Sequence, residues 1–227
     1  MGKDKLRKWK ENAAFSHVFE PDLKSIVDGA GVNKGKWARE VFGNDHPITL
    51  ELGCGKGEYT VGLARRHPDR NFIGVDIKGH RFWRGAKTSQ EEGLNNVAFL
   101  RTKIEFVQNF FVEGEVSEIW LTFSDPQPKD EKGTKRITSE LFLERYRGFM
   151  VPGGLVHVKS DSPLLYTLSK EGWRAAGFPI LEDSADVYGD LVHRVPADFA
   201  EVLNIRTYYE ARWLEEGKKI HYLRTQV

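Results

Sequence analysis

Cysteine is nearly absent from this sequence. Cys54 is the only one in 227 residues, so no internal disulfide forms and no cysteine cluster exists to hold zinc. A reducing cytoplasm is the natural setting. No run of roughly 18 apolar residues occurs, which argues against a transmembrane helix. The N-terminal MGKDKLRKWKENAAF is charged and leads into no apolar stretch, which does not fit a signal peptide. An excess of charge of either sign is missing as well. The 34 Lys and Arg nearly balance the 33 Asp and Glu, leaving +1, so global charge does not announce a nucleic-acid binder. Internal repeats and low-complexity tracts are also absent. What remains, 40% hydrophobic and 30% charged residues, fits a folded chain with one ample core.

Although the total is balanced, the positive charge is clustered. Lys3, Lys5, Arg7, Lys8 and Lys10 form one group; Lys78, His80, Arg81, Arg84 and Lys87 a second; Lys129, Lys132, Lys135 and Arg136 a third. Any one of these suits a solvated face equally well. Residues 1–46 read as a basic N-terminal extension, partly helical, with breakers at Pro21, Gly29, Gly31 and Gly35. From Ile48 the pattern becomes regular, and 47–227 read as one domain. Strands are expected at 48–53, 71–77, 96–102, 118–125 and 155–161. Helices are expected at 58–67, 80–93, 104–111, 139–150 and 163–177. The tail, 205–225, reads as two late strands joined at Glu216-Gly217. Strands alternating with helices imply an α/β fold, a doubly wound and mostly parallel sheet with a late antiparallel strand.

The sharpest local signal is Glu51-Leu52-Gly53-Cys54-Gly55-Lys56-Gly57, where the first buried strand turns into the first helix. Glycines there let the chain turn tightly and bring a ligand against main-chain groups. Asp76 ends the second strand, where such folds place the acid that holds a ribose diol. A dinucleotide site would carry GxGxxG, but here Glu58 stands in the third-glycine place. Glu51 before the turn suits a ligand with a positively charged amino-acid end and no pyrophosphate. The pattern therefore favours S-adenosylmethionine over NAD, on a Rossmann-like domain. Ordinary strand-end acids remain the bland alternative for Glu51 and Asp76.

Near the same end of the sheet, the fourth strand runs into Ser124-Asp125-Pro126-Gln127-Pro128-Lys129. Two prolines fix the backbone direction and remove two donors, which would hold Asp125 and Lys129 near the methyl donor; the Pro-x-Pro alone is equally a rigid surface turn. FSDPQPK (123–129), followed by KGTKRIT (132–138), resembles the signature of the tRNA (guanine-N7)-methyltransferase family, a class I S-adenosylmethionine-dependent group. ELGCGKGEY (51–59) resembles that family's cofactor turn. KSD (159–161) and TYYE (207–210), followed by Gly217, resemble its two late substrate motifs, and RKWKENAAF (7–15) its basic N-terminal segment. The resemblance spans nearly the whole chain, in order and spacing.

It implies that S-adenosylmethionine is held by Glu51, Gly53, Gly55, Asp76, Lys103 and Asp125, with Asp125 the catalytic residue at the junction of cofactor and base. It implies that Lys129, Asp161, Thr207, Tyr208, Tyr209 and Glu210 hold the substrate, and that 131–136, with Lys132, Lys135 and Arg136, touches RNA. No metal is implied. Two positions depart from the family: Gln127 replaces the usual loop tryptophan, and Lys103 stands where an acid or amide is usual. Asp130 and Glu131 dilute the basic loop. Trp83 reads as core packing. No obligate partner subunit is evident, which is compatible with a monomer or homodimer. Two further readings keep the fold but change the function: a methyltransferase for a small molecule or protein, and a non-catalytic RNA-binding module.

Overall fold

The computed structural model describes residues 3–22, 24, 26, 31–131 and 133–227. Eight strands form a single sheet in the order β1-β4-β3-β2-β5-β6-β8-β7. They are β1 (Val18–Phe19), β2 (Ile48–Leu52), β3 (Asn71–Asp76), β4 (Val97–Arg101), β5 (Val116–Thr122), β6 (Met150–Ser160), β7 (Ile180–Ser184) and β8 (His221–Gln226). β1 to β6 pair in parallel, while β8 lies antiparallel to both β6 and β7. The α/β fold with a late antiparallel strand is thus as the sequence pattern implies.

Side chains alternate along the strands into two cores, one on each face. Ile48, Leu50 and Leu52 of β2, with Ile73, Val75, Ile119 and Leu121, belong to one. Phe72, Phe99 and Trp120, from the intervening positions, belong to the other. Helices α2 (Glu58–Arg66) and α3 (Gly79–Glu91) cover the second face through Tyr59, Val61 and Phe82. Helices α4 (Glu140–Arg147) and α5 (Pro163–Ala175) cover the first through Phe142, Leu165 and Trp173. Both faces being covered explains why every residue of β2 and β3 is buried. α5 starts at Ser162, whose hydroxyl accepts from the Leu165 amide, with Pro163 next.

The segment before residue 47 joins the same body. β1 extends the sheet edge beside β4, and Trp37 is fully buried, its indole donating to the Phe110 carbonyl at 2.8 Å. Helix α1 (Lys3–Asn12) lies on α3. There Trp83 donates to Glu11, while Arg7, Lys8 and Lys87 lie over its ring. Trp83 is thus half-buried under α1 and outside both cores, rather than in the core as its sequence position suggests.

The tail needs a correction. Of the two strands expected over 205–225, only β8 exists. Its forerunner is helix α7 (Tyr208–Glu215), preceded by the short α6 (Ala197–Leu203). Thr207 and Glu210 form a capping box that starts α7: the Glu210 amide donates to the Thr207 hydroxyl, and the Thr207 amide to the Glu210 carboxylate. The other late strand is β7, unexpected from the sequence. Among the described residues no helix is long and apolar enough to cross a membrane.

Candidate active site

Strand order brings distant motifs together. β2 lies between β3 and β5, and β5 between β2 and β6. The order reverses at β2/β5, and open α/β sheets bind ligands outside the strand ends at such a point. The ends of β3, β2, β5 and β6 therefore set Asp76, the glycine turn, Asp125 and Asp161 side by side.

The turn after β2 is built on left-handed backbone. Gly53, Gly55 and Gly57 have φ of 82°, 55° and 74°, which other residues adopt only with strain. A Cβ on Gly57 would meet Phe99 at 2.6 Å, so this glycine lets α2 and α3 close on the sheet. Nothing comes within 4 Å of a Cβ placed on Gly55, so the space over that glycine is open. The Asp76 carboxylate accepts from the Gly55 amide at 3.0 Å and the Lys78 amide at 2.8 Å, bracing both turns. Gly53, Asp76, Thr102, Lys103 and Ile104 line a cavity of about 430 Å³. Lys103 is exposed at its rim.

Glu51 lies beneath the turn, 2% exposed. One carboxylate oxygen accepts from the amide and hydroxyl of Thr60, the other from the Thr122 hydroxyl at 2.6 Å. Burial pushes its pKa up to about 7; the threonine bonds oppose this and nearby Asp76 adds to it. Glu51 is therefore poised to gain a full charge when a cation comes near. Thr60 and Thr122, unremarkable in sequence, are its holders.

Asp125 is exposed between Phe123 and Gln127, both non-glycine residues at positive φ, 53° and 47°. Its carboxylate accepts from the Gln127 amide at 2.8 Å. Asp125, Asp161, Phe123, Trp213 and Lys218 line a cavity of about 1110 Å³. Lys78 and Arg81 line both this cavity and that of the glycine turn, so the two adjoin. The Ser124 hydroxyl, buried next to Asp125 in the chain, has no hydrogen-bond partner among the described residues.

Not every expected residue faces these cavities. Lys129 and Lys135 line a separate hollow of about 340 Å³ on the loop. Arg136 turns inward, donating to the carbonyls of Pro126 and Asp130. Asp130, far from diluting the loop, organises it. Its carboxylate accepts from Thr134, Lys135 and Arg136 amides. Burial opposes its ionisation, but these bonds prevail and hold its pKa below the usual value. Lys132 lies outside the described residues.

The TYYE motif divides likewise. Tyr208 and Tyr209 are half-exposed, and Lys56 of the glycine turn sits 3.9 Å from the Tyr208 ring centroid. The Tyr208 amide donates to Glu58, at the start of α2. Glu210 is fully buried and paired with Lys159 at 2.7 Å. Tyr188 also donates to it. Burial lowers the Lys159 pKa, with Glu210 opposing. Thr207 and Glu210 thus support the site from within rather than face it.

Comparison with known proteins agrees with this geometry. Residues 45–223 match a family model described as "Putative methyltransferase". A tRNA (guanine-N(7)-)-methyltransferase of Bacteroides thetaiotaomicron is 52% identical over 99% of this chain and 86% of its own length. One from Christiangramia forsetii is 48% identical over 99% and 98%. Among solved structures, the 16S rRNA methyltransferase KamB superposes with a TM-score of 0.58 at 16% identity, covering 80% of this chain and 87% of that one. A SAM-dependent methyltransferase from Aquifex aeolicus gives 0.54 at 12% identity over both whole chains. These two speak for the fold alone. With such relatives along its length, this chain belongs to the tRNA (guanine-N7)-methyltransferase family.

Proposed function

We propose that this protein transfers a methyl group from S-adenosylmethionine to N7 of a guanine in tRNA. The observation that carries the reading is the pair of adjoining cavities, one on the glycine turn with Asp76, the other holding Asp125 and Asp161, in a chain of this family. The open face over Gly55, the cationic seat that Glu51 offers and the strand-end Asp76 fit S-adenosylmethionine. When bound, the cofactor supplies an electrophilic methyl group.

Guanine N7 carries an in-plane lone pair and no proton, so no base is needed to free it. The protein has to align N7 and tolerate positive charge arriving on the ring. Orientation of this kind is worth up to about 7–11 kcal/mol. Asp125 and Asp161 accept from guanine N1 and the exocyclic amine and oppose the developing charge with their own. N7 lies on the deep, narrow major-groove edge of A-form RNA, so the target nucleotide is exposed or flipped out. Lys129 and Lys135 hold backbone phosphates, which positions RNA without reading sequence. Such a reaction belongs in the cytoplasm, where tRNA is found.

The deciding experiment is methyl transfer to unmodified tRNA with mapping of the modified base. A label on guanine N7, lost when the target is 7-deazaguanine, is the expected result. Methylation of another atom, or of protein or small molecules but not tRNA, overturns it.

A further inference from the structure

The two carboxylates account for the edge of a guanine, but a flat ring also has to be held by its faces. The aromatic side chains lining the larger cavity are Phe123, Trp213 and His221. His221 stacks on Tyr166, ring centroids 4.9 Å apart. Phe123 supports Trp213, centroids 5.0 Å apart, and Tyr209 stacks on Trp213 at 6.0 Å. Trp213 is thus fixed by two neighbours while remaining half-buried.

A cation already sits on it. The Lys218 ammonium lies over the Trp213 ring, 5.4 Å from its centroid, and 3.5 Å from an Asp161 carboxylate oxygen. An indole face and a carboxylate together attract positive charge. Guanine becomes cationic as N7 takes the methyl group, so the arrangement that holds the ammonium suits the ring late in the reaction better than early. Lys218 is exposed; its amide donates to the Trp213 carbonyl at 2.9 Å, just after Gly217 (φ 75°), and its ammonium is shared with Glu216 at 3.5 Å, so the side chain keeps a carboxylate partner when it leaves the slot.

We propose that Trp213 is the stacking platform for the target guanine, in a slot that it forms with Asp161 and that the Lys218 ammonium fills in the free protein. The proposal rests on the reading of the protein as a guanine-N7 methyltransferase. Base and ammonium compete for the slot, so Lys218 opposes substrate entry.

Steady-state methylation of unmodified tRNA by Trp213→Leu, Trp213→Phe and Lys218→Met tests it, with cofactor affinity and thermal midpoint measured on each. The wild-type protein decides the underlying reading first, because methyl transfer away from guanine N7 removes the substrate itself. Given N7 transfer, Trp213→Leu is expected to lose about 5- to 150-fold in kcat/KM, the range for one stacked base, with cofactor affinity unchanged. Trp213→Phe should recover most of that loss, and Lys218→Met should lower KM. Full activity in Trp213→Leu overturns the platform. So does a loss that Trp213→Phe fails to recover, which would mark a packing role. A raised KM in Lys218→Met overturns the competition. Binding of 7-methylguanosine below neutral pH gives a measurement free of turnover. It should exceed guanosine binding in the wild type, and an equal preference in Trp213→Leu overturns the proposal.

Discussion

Asp125 is held between two residues in left-handed backbone, Phe123 and Gln127, each costing of order 1–3 kcal/mol. That strain is sustained by the surrounding fold; on the proposed reading it aims a carboxylate with no proton to abstract. Asp125→Ala is accordingly expected to cut the single-turnover rate by about 10²–10³, as for loss of one preorganised electrostatic group. Asp125→Asn keeps an acceptor without the charge and should recover part of the rate; equal rates in both variants would remove the charge from the account. An inosine target lacks the exocyclic amine and should react more slowly, with the penalty shrinking in the variant that has lost the partner. Glu51 makes a pH prediction. Its pKa rises from the ordinary 4.5 to about 7 because it is buried. The folded chain therefore binds this proton more tightly than the unfolded one, and the stability Glu51 contributes declines as pH rises from about 4.5 to about 7. A cationic ligand favours the ionised form, so cofactor affinity should rise from about pH 6 to pH 8, with proton release on binding. Calorimetry in buffers of different ionisation enthalpy measures this directly. The proton release should vanish in Glu51→Gln, and its persistence there would assign it to another group.

Helix α7 shows how one motif can divide between exposed and buried positions, Tyr208 and Tyr209 outward and Glu210 inward. Its capping box and the buried Glu210–Lys159 pair hold it to β6, leaving Trp213 to line the larger cavity, with Tyr209 stacked on it and Tyr208 under Lys56 of the glycine turn. Removing one member leaves the other charge buried and alone, so Glu210→Ala should destabilise the fold by about 3–5 kcal/mol. Replacing both by apolar residues, Lys159→Met with Glu210→Leu, should recover most of that loss in denaturant unfolding; no recovery would show that the pair does not act as a unit. Elements of this kind also mark where the sequence is legible. The run from β2 through the glycine turn to Asp76 declares itself, because buried strands and left-handed glycines leave strong local patterns. So do β5 and the Asp125 loop. The tail does not, because Tyr208, Tyr209 and Trp213 suit a strand by composition; Thr207-x-x-Glu210 was the available sign of a helix start. β7 has exposed or half-buried residues at most of its positions, so no hydrophobic run betrays it. Tertiary partners escape for a different reason. That Thr60 and Thr122 hold Glu51, or that Asp130 and Arg136 tie the loop, depends on hydrogen bonds that no spacing encodes.

Over the whole molecule the formal charge is only +1, yet RNA binding depends on where the charge lies, because salt screens it within about 8–10 Å. The loop after β5 illustrates the difference between a basic residue and a phosphate ligand. Lys129 and Lys135 are exposed around the loop hollow, with no partner drawing them inward among the described residues. Arg136 instead directs its guanidinium to the Pro126 and Asp130 carbonyls. Its charge is held against the same loop that carries Asp125. The two kinds of residue should therefore fail in different ways. Lys129→Ala with Lys135→Ala should weaken tRNA binding and reduce the slope of log affinity against log salt by about 0.7–0.9 for each phosphate no longer neutralised. The rate at saturating tRNA should change little. Arg136→Ala should do the reverse, lowering the saturated rate as the Asp125 loop loosens while the salt slope stays near the wild-type value. Filter-binding isotherms across a salt series, paired with single-turnover rates, separate the two. An Arg136→Ala variant with a reduced slope and an intact rate would place this guanidinium on the RNA and make its bonds to the loop a resting arrangement. An unchanged slope in the double lysine variant would move the RNA path away from this loop altogether.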